Sequence, residues 1–407
     1  MIFDDQDASF IDTARDWLRS LEADDLVIFE RVLELSPGYY PTTIYAVWMD
    51  ELAARGLARR DPPLPLLEFA RLPVGHPADY DWRFTAATRR ALLSRLIDGR
   101  VEGDVLAYLG APTLFAEGVE QAPQYGHLLV DANESMVDAV GRHASRREIL
   151  PIRIGEDDVP RREDVAAVMM DPPWYPTDSL NFLAAASALA REGAPILLSQ
   201  PTYATRPGVI SERTALIEAA MALGLAFQHE LDEPARYETP HFERMSLGEE
   251  NPLVPVPADW RTGDVLLFKK TGPAPERWPA AAPSRLEWVE ATFGPVRIKL
   301  RNSGEPDLAL LEPELDRLLT VSRRDPARAR VGLWTSGNRV RTLSNVDAIA
   351  RCIALCDNDL SMTRFSHSST EAHAAELALD QRVATDLFEL LLLEYQEHVA
   401  AGFGVTA

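Results

Sequence analysis

The chain has 407 residues, more than one hydrophobic core usually organises, which points to two or three domains. Hydrophobic residues make up 46% and charged residues 26%, a globular mixture that excludes collagen-like, disulfide-scaffold and wholly disordered classes. The net charge of −22, from 63 acids against 41 bases, repels phosphate backbones. No stable unaided nucleic-acid binding is therefore expected, and a cationic or neutral small molecule suits the chain better.

The first residues, MIFDDQDASF, lack the basic and apolar segments of a secretory signal, and no run of about 18 apolar residues occurs. A cytoplasmic protein without a membrane partner is the expectation. Residues 7–36 read as two amphipathic helices, with Phe10, Ala14, Trp17, Leu18 and Leu21 on one face. A third helix follows over PTTIYAVWMDELAARGLA, opened by Pro41 and closed near Gly56. Three short helices before the proline-rich run Asp61 to Pro65 resemble a winged-helix module, assigned to residues 1–75. In so acidic a chain this module is expected to serve homodimerisation, a protein partner or a lid rather than DNA.

From residue 100 apolar strands alternate with helices. DVLAYLG, GHLLVDA, VAAVMMD and APILLSQ are strand candidates, with a short one over Leu150 to Ile154. Gly208 to Leu223 gives another helix, then LAFQHEL and DVLLFKK give two strands separated by an irregular segment, Pro234 to Pro257. Pro273 to Pro283 reads as a linker. After it come a strand at PVRIKLRN, a hairpin at Ser336-Gly337-Asn338 and one long helix from about Ser369 to Val399. Residues 80–272 thus form a doubly wound α/β domain and residues 284–407 a C-terminal α/β domain. Cys352 and Cys356, four apart without a second pair, read as packing residues, and eight scattered histidines show no metal-ligand spacing, so no metal site is expected.

The chemistry-bearing feature is Asp171-Pro172-Pro173-Trp174-Tyr175 at the carboxyl end of an apolar strand, where open α/β sheets bind ligands. Two consecutive prolines fix two φ angles and remove two donors, giving a stiff loop with outward carbonyls. Leu109 and Gly110 end the first strand, and Asp131 closes the second about twenty residues on, the spacing of an acid that reads ribose hydroxyls. An acidic turn containing Asp157 and Asp158 follows the third strand, and the sequence does not distinguish the two. Gln200 and Tyr203 follow the next strand, and Tyr237, His241 and Phe242 lie where a segment would arch over the sheet. Of these, Pro173, Gln200, Tyr203 and His241 are taken as candidate substrate contacts.

The seven strands, ending in an antiparallel pair, resemble the class I methyltransferase (Rossmann-like) sheet. Asp-Pro-Pro-Trp resembles the motif of S-adenosylmethionine-dependent amino-methyltransferases. The resemblance implies that Asp171 and the Pro172 carbonyl orient an amine nitrogen, that Trp174, with Tyr175 beside it, stacks on the substrate, and that Leu109, Gly110, Asp131 and Asp157 hold S-adenosylmethionine. It further implies N-methylation of an amine or amide nitrogen of a small molecule. The order of parts, helical module, Leu-Gly loop, strand-closing aspartate and Asp-Pro-Pro, is similar to branched-chain polyamine synthases over roughly residues 1–270. Those enzymes follow the glycine with acids where this chain has Ala111-Pro112-Thr113, so aminopropyl transfer ranks second. The single glycine in that loop is the feature of a third alternative, a non-catalytic methyltransferase-like assembly partner.

Overall fold

The computed structural model describes residues 5–59, 72–141, 147–162, 164–251, 253–274, 288–311 and 315–403. The chain divides into two compact units: Met1–Leu64, Arg83–Thr239 and Pro255–Pro283 form one, and Pro65–Trp82, Pro240–Val254 and Ser284–Ala407 the other. The sequence pattern ran the sheet domain continuously to residue 272, whereas Pro240–Val254 cluster with the C-terminal residues.

The first unit opens with helices α1 (Asp5–Ser20), α2 (Ala23–Leu26), α3 (Phe29–Leu35) and α4 (Pro41–Arg55). Phe29, Tyr45 and Trp48 interlock at ring separations of 4.8–5.4 Å, and Gly56 ends α4 in the left-handed conformation. The proline-rich run Asp61 to Pro65 lies outside the described residues, as does most of the expected linker at Pro273 to Pro283.

The sheet of this unit has nine strands: β1 (Arg83–Phe84), β2 (Val105–Leu109), β3 (Gly126–Val130), β4 (Arg147–Leu150), β5 (Val165–Met170), β6 (Pro195–Pro201), β7 (Leu225–Glu230), β8 (Ala235–Glu238) and β9 (Arg261–Lys270). Strands β4, β3, β2, β5 and β6 run parallel in that order, β9 pairs antiparallel with β6, and β7 pairs with β9. This is the expected seven-stranded order with its one reversed strand. The short strand falls at β4, before the expected Leu150 to Ile154. Helices α5 (Ala86–Ile97), α6 (Pro112–Gln121) and α7 (Glu134–Gly141) pack in succession, and α8 (Pro176–Leu189) packs with α9 (Val209–Ala222). Strand residues are buried on both faces, so the strands read as unbroken apolar runs. Ala107, Val130, Met170, Leu198 and Phe268 share one core with Leu183 and Leu216 of the α8–α9 layer.

Strand β9 is ten residues long and serves two partners on one edge. Its later half pairs with β7, while Arg261, Thr262 and Gly263 pair with Tyr237, Arg236 and Ala235 of β8, and β1 extends that edge. Pro201 faces Gly263, so the start of β9 lies at the carboxyl end of β6. The segment expected to be irregular, Pro234 to Pro257, therefore contains β8 and helix α10 (His241–Glu250).

In the second unit, β10 (Val289–Phe293), β11 (Val296–Leu300), β12 (Leu333–Thr335) and β13 (Val340–Arg341) form an antiparallel sheet beside helices α11 (Val346–Ser361), α12 (His367–Glu376) and α13 (Gln381–Ala400). The hairpin expected at Ser336-Gly337-Asn338 joins β12 to β13, with Asn338 at φ 70°. The expected single long helix is two, because Ala378 takes a positive φ and Asp380 caps α13 through the Arg382 N–H. Cys352 and Cys356 are buried and unbridged in the α11 core. Among the described residues no helix is long and apolar enough to cross a membrane, and no three His, Cys, Asp or Glu side chains are grouped to hold a metal.

Candidate functional site

Four parallel strands end at one level. Just beyond them, Asp171 N–H donates to Leu109 O (3.0 Å), Gly110 N–H to Val130 O (2.9 Å) and Asp131 N–H to Leu150 O (3.2 Å). Asp171, Gly110 and Asp131 thus stand side by side on neighbouring strands of the carboxyl edge, spaced by the strand separation of about 4.8 Å. Gly110 turns the chain at φ 65°, and a Cβ there would lie 2.9 Å from the Asp171 carbonyl oxygen. Glycine therefore permits both the turn and the close approach of the two loops. Leu109 is buried, so its side chain belongs to the core and its main chain to the edge. Asp131 is half-buried, and its Oδ1 accepts from the Asn133 N–H at 2.7 Å, which orients the carboxylate.

Asp157 is differently placed. It is exposed, and its Oδ2 accepts from the Arg153 N–H at 2.8 Å, closing its own turn.

The motif loop is built around Asp171. Tyr237, on β8, donates its hydroxyl to Asp171 Oδ1 at 2.7 Å and contacts the Ser199 hydroxyl of β6 at 2.5 Å. Asp171 keeps some accessible surface, but the surrounding protein desolvates its carboxyl and pushes it up to about 7. Hydrogen bonds from Tyr237 and Ser199 and the charge of Arg261 oppose that rise. Burial and the neighbouring Asp171 raise the Tyr237 phenol well above its ordinary value, so it remains a donor.

Pro172 is buried, and the Pro173 carbonyl accepts from the Tyr175 N–H at 2.6 Å within the turn. Tyr175 precedes α8 as its cap residue, with Pro176 in the first helical position. Trp174 meets Tyr237 edge-on at 5.6 Å, and the Arg261 guanidinium lies 5.2 Å from the Trp174 ring centroid. The partner seen over this indole is thus a protein cation. Gly263 makes room for it: a Cβ there would lie 2.8 Å from Trp174 Cζ2.

Gln200 is buried and donates to Ser179 Oγ at 2.9 Å, tying β6 to α8 rather than facing the open edge. Tyr203 is half exposed in the loop after β6. His241 is not brought to Asp171. It begins α10 in the second unit, buried with its ring 4.4 Å from His398 and 5.6 Å from Phe403.

Tyr237 stood in the sequence only as part of an arching segment, and Ser199, Arg261 and Gly263 carried no signal. A four-residue strand, ARYE, offers too little apolar pattern to reveal its pairing with the start of β9.

No family model matches the sequence, and no curated protein matches it. Among solved structures, the branched-chain polyamine synthase from Thermus thermophilus, in complex with N4-aminopropylspermidine and 5'-methylthioadenosine, matches at a TM-score of 0.51 and 16% identity, covering 67% of this chain and 91% of that one. A mutein of that enzyme with the same two compounds matches at 0.51 and 15%, covering 70% and 97%. A 16S rRNA (adenine(1408)-N(1))-methyltransferase variant from Catenulisporales acidiphilia matches at 0.31 and 15%, covering 46% and 92%. The likeness establishes the fold: the chain carries a class I methyltransferase-type sheet in an architecture similar to that of the branched-chain polyamine synthase.

Proposed function

We propose that the protein is an S-adenosylmethionine-dependent transferase that alkylates an amine or amide nitrogen of a small molecule, methyl transfer being the first reading. The observation that carries it is the desolvated Asp171 carboxyl, held by Tyr237 at a proline-stiffened strand end directly beside Gly110 and Asp131. The residues fit a nucleoside donor. Asp131 offers an oriented carboxylate for vicinal hydroxyls, and Gly110 brings the neighbouring main chain close without a side chain. Asp157, closing its own exposed turn, offers less.

When bound, the donor would supply an electrophilic carbon on a positively charged sulfur. The chain's own residues hold the acceptor. Asp171 accepts a hydrogen bond from the nitrogen, which points the lone pair at that carbon, and the Pro172-Pro173 loop fixes the angle. Alkylation of the nitrogen by that carbon would leave the carbon–sulfur electron pair on the donor's sulfur. The nitrogen sheds a proton to the Asp171 carboxylate, which can take it because it titrates near neutrality.

Aminopropyl transfer is the second reading, supported by the architecture shared with the synthase over 91% of that enzyme. Turnover with S-adenosylmethionine against its decarboxylated form, read by the mass added to the acceptor, separates the two. A methyl increment from the first donor supports the proposal, whereas an aminopropyl increment from the second replaces it.

A further inference from the structure

Ser199 is 0% exposed in β6, so its hydroxyl has to find its partner inside the protein. That partner is the Tyr237 hydroxyl at 2.5 Å, which in turn reaches Asp171 Oδ1 at 2.7 Å. A phenol carries a single proton, and an ionised carboxylate only accepts. With the Tyr237 proton given to Asp171, the proton in the contact between the two hydroxyls comes from Ser199. Three strands meet in this chain of donors: β6 carries Ser199, β8 carries Tyr237, and Asp171 stands just past the end of β5.

The surroundings favour that order. A Cβ at Gly263 of β9 would stand 3.2 Å from Ser199 Oγ and 2.8 Å from Trp174 Cζ2, so one glycine leaves room for both the serine hydroxyl and the indole of the motif loop. The Tyr237 ring is held between Trp174, edge-on at 5.6 Å, and Phe84 at 4.8 Å. In a ring so held, the remaining freedom is rotation of the O–H bond. A hydrogen bond donated to the phenolic oxygen restricts that rotation and polarises the O–H towards Asp171. Besides the two hydroxyls, the charge of Arg261 on β9 also favours the carboxylate.

We propose that Ser199 is a positioning residue whose hydroxyl fixes the Tyr237 proton on Asp171 Oδ1 and so holds the carboxylate ready for the proton that the alkylated nitrogen sheds. The consequence for turnover rests on the transferase reading above, whereas the order of the hydrogen bonds does not. Ser199 also favours the carboxylate directly, by less than Tyr237 does. The route through the phenol is what paired substitutions isolate.

Carboxyl 13C NMR titration of the aspartate-labelled protein tests this, with the resonance missing from Asp171→Asn marking the group. Ser199→Ala should raise the Asp171 midpoint by about half a pH unit. The same substitution in a Tyr237→Phe background should raise it by a clearly smaller amount, because the phenol that carries the effect is gone. Ser199→Thr, which keeps a hydroxyl, should titrate like the parent. No shift or a downward shift in Ser199→Ala, an equal shift in the Tyr237→Phe background, or a threonine variant that moves as far as the alanine one would overturn the assignment. Calorimetry with S-adenosylhomocysteine is read separately, and Ser199→Ala should bind it within a few-fold of the parent. Failure of the parent to bind it would overturn the transferase reading and the role in turnover, while the titration still decides the order of the hydrogen bonds.

Discussion

Asp171 in the first unit and Glu394 in the second are both carboxyl groups drawn into protein, and their surroundings differ in kind. Glu394 is fully buried and carries a fixed set of partners: Arg339 donates to Oε1 at 2.7 Å and the Gly337 N–H to Oε2 at 3.1 Å. Its neighbour His398 is equally saturated, with Nδ1 on the Glu394 carbonyl at 2.7 Å and Nε2 on the Ser336 hydroxyl at 2.8 Å. A serine, a histidine and a glutamate thus cluster, but the histidine Nδ1 meets the glutamate's main-chain carbonyl where a hydrolase would place a carboxylate, and all three residues are 0% exposed. Asp171 has hydroxyl donors, some accessible surface and a titration near neutrality. Burial with a matched counter-charge locks a fold, whereas burial with neutral donors leaves a proton free to move.

The sharpest way to break this contrast is to remove each carboxylate in turn. Glu394→Ala leaves the buried Arg339 without one of its acceptors and should lower unfolding free energy by about 3 kcal/mol in denaturant titration. Asp171→Asn should do the opposite to stability. Because folding raises the Asp171 pKa, the parent loses stability as pH climbs from about 4 to about 7, and the full cost stands above that range. The asparagine variant should therefore gain about 1–3 kcal/mol at pH 8 and nothing near pH 4, while turnover falls about 10²-fold with donor affinity within a few-fold. Loss of stability at pH 8 together with full turnover would make the motif a structural strand end.

A smaller effect sharpens the account of how Asp171 is tuned. Tyr237→Phe removes the donor that stabilises the carboxylate, so the Asp171 pKa should rise further. The acidic limb of the kcat/KM profile should then move up by roughly one pH unit. A limb that stays in place, or moves down, would detach Tyr237 from proton transfer.

Much of this was legible in the sequence, and the physical reason is the parallel sheet. Strands buried on both faces appear as unbroken apolar runs such as VAAVMM, and the residue that ends each run marks the ligand-binding edge, so Gly110, Asp131 and Asp171 could be placed together. Two of the groups that tune Asp171, Tyr237 and Arg261, come from antiparallel additions to the sheet, and Ser199 comes from the parallel strand β6. Tyr237 and Arg261 face each other in a short pairing, where the alternation Ala-Arg-Tyr-Glu is too brief to stand out, and Gly263 matters only because an indole from a distant loop fills its space. His241 sits three residues beyond β8, yet α10 carries it into the second unit's core, a division invisible in a segment without composition change.

The central claim, that the aligned strand ends form a donor site beside Asp171, is tested most directly by calorimetric titration of S-adenosylhomocysteine into the parent, Asp131→Ala and Asp171→Asn. Saturable binding to the parent is expected, weakened about tenfold or more in Asp131→Ala and held within a few-fold in Asp171→Asn. Absence of binding to the folded parent, or equal affinity in Asp131→Ala, would contradict it.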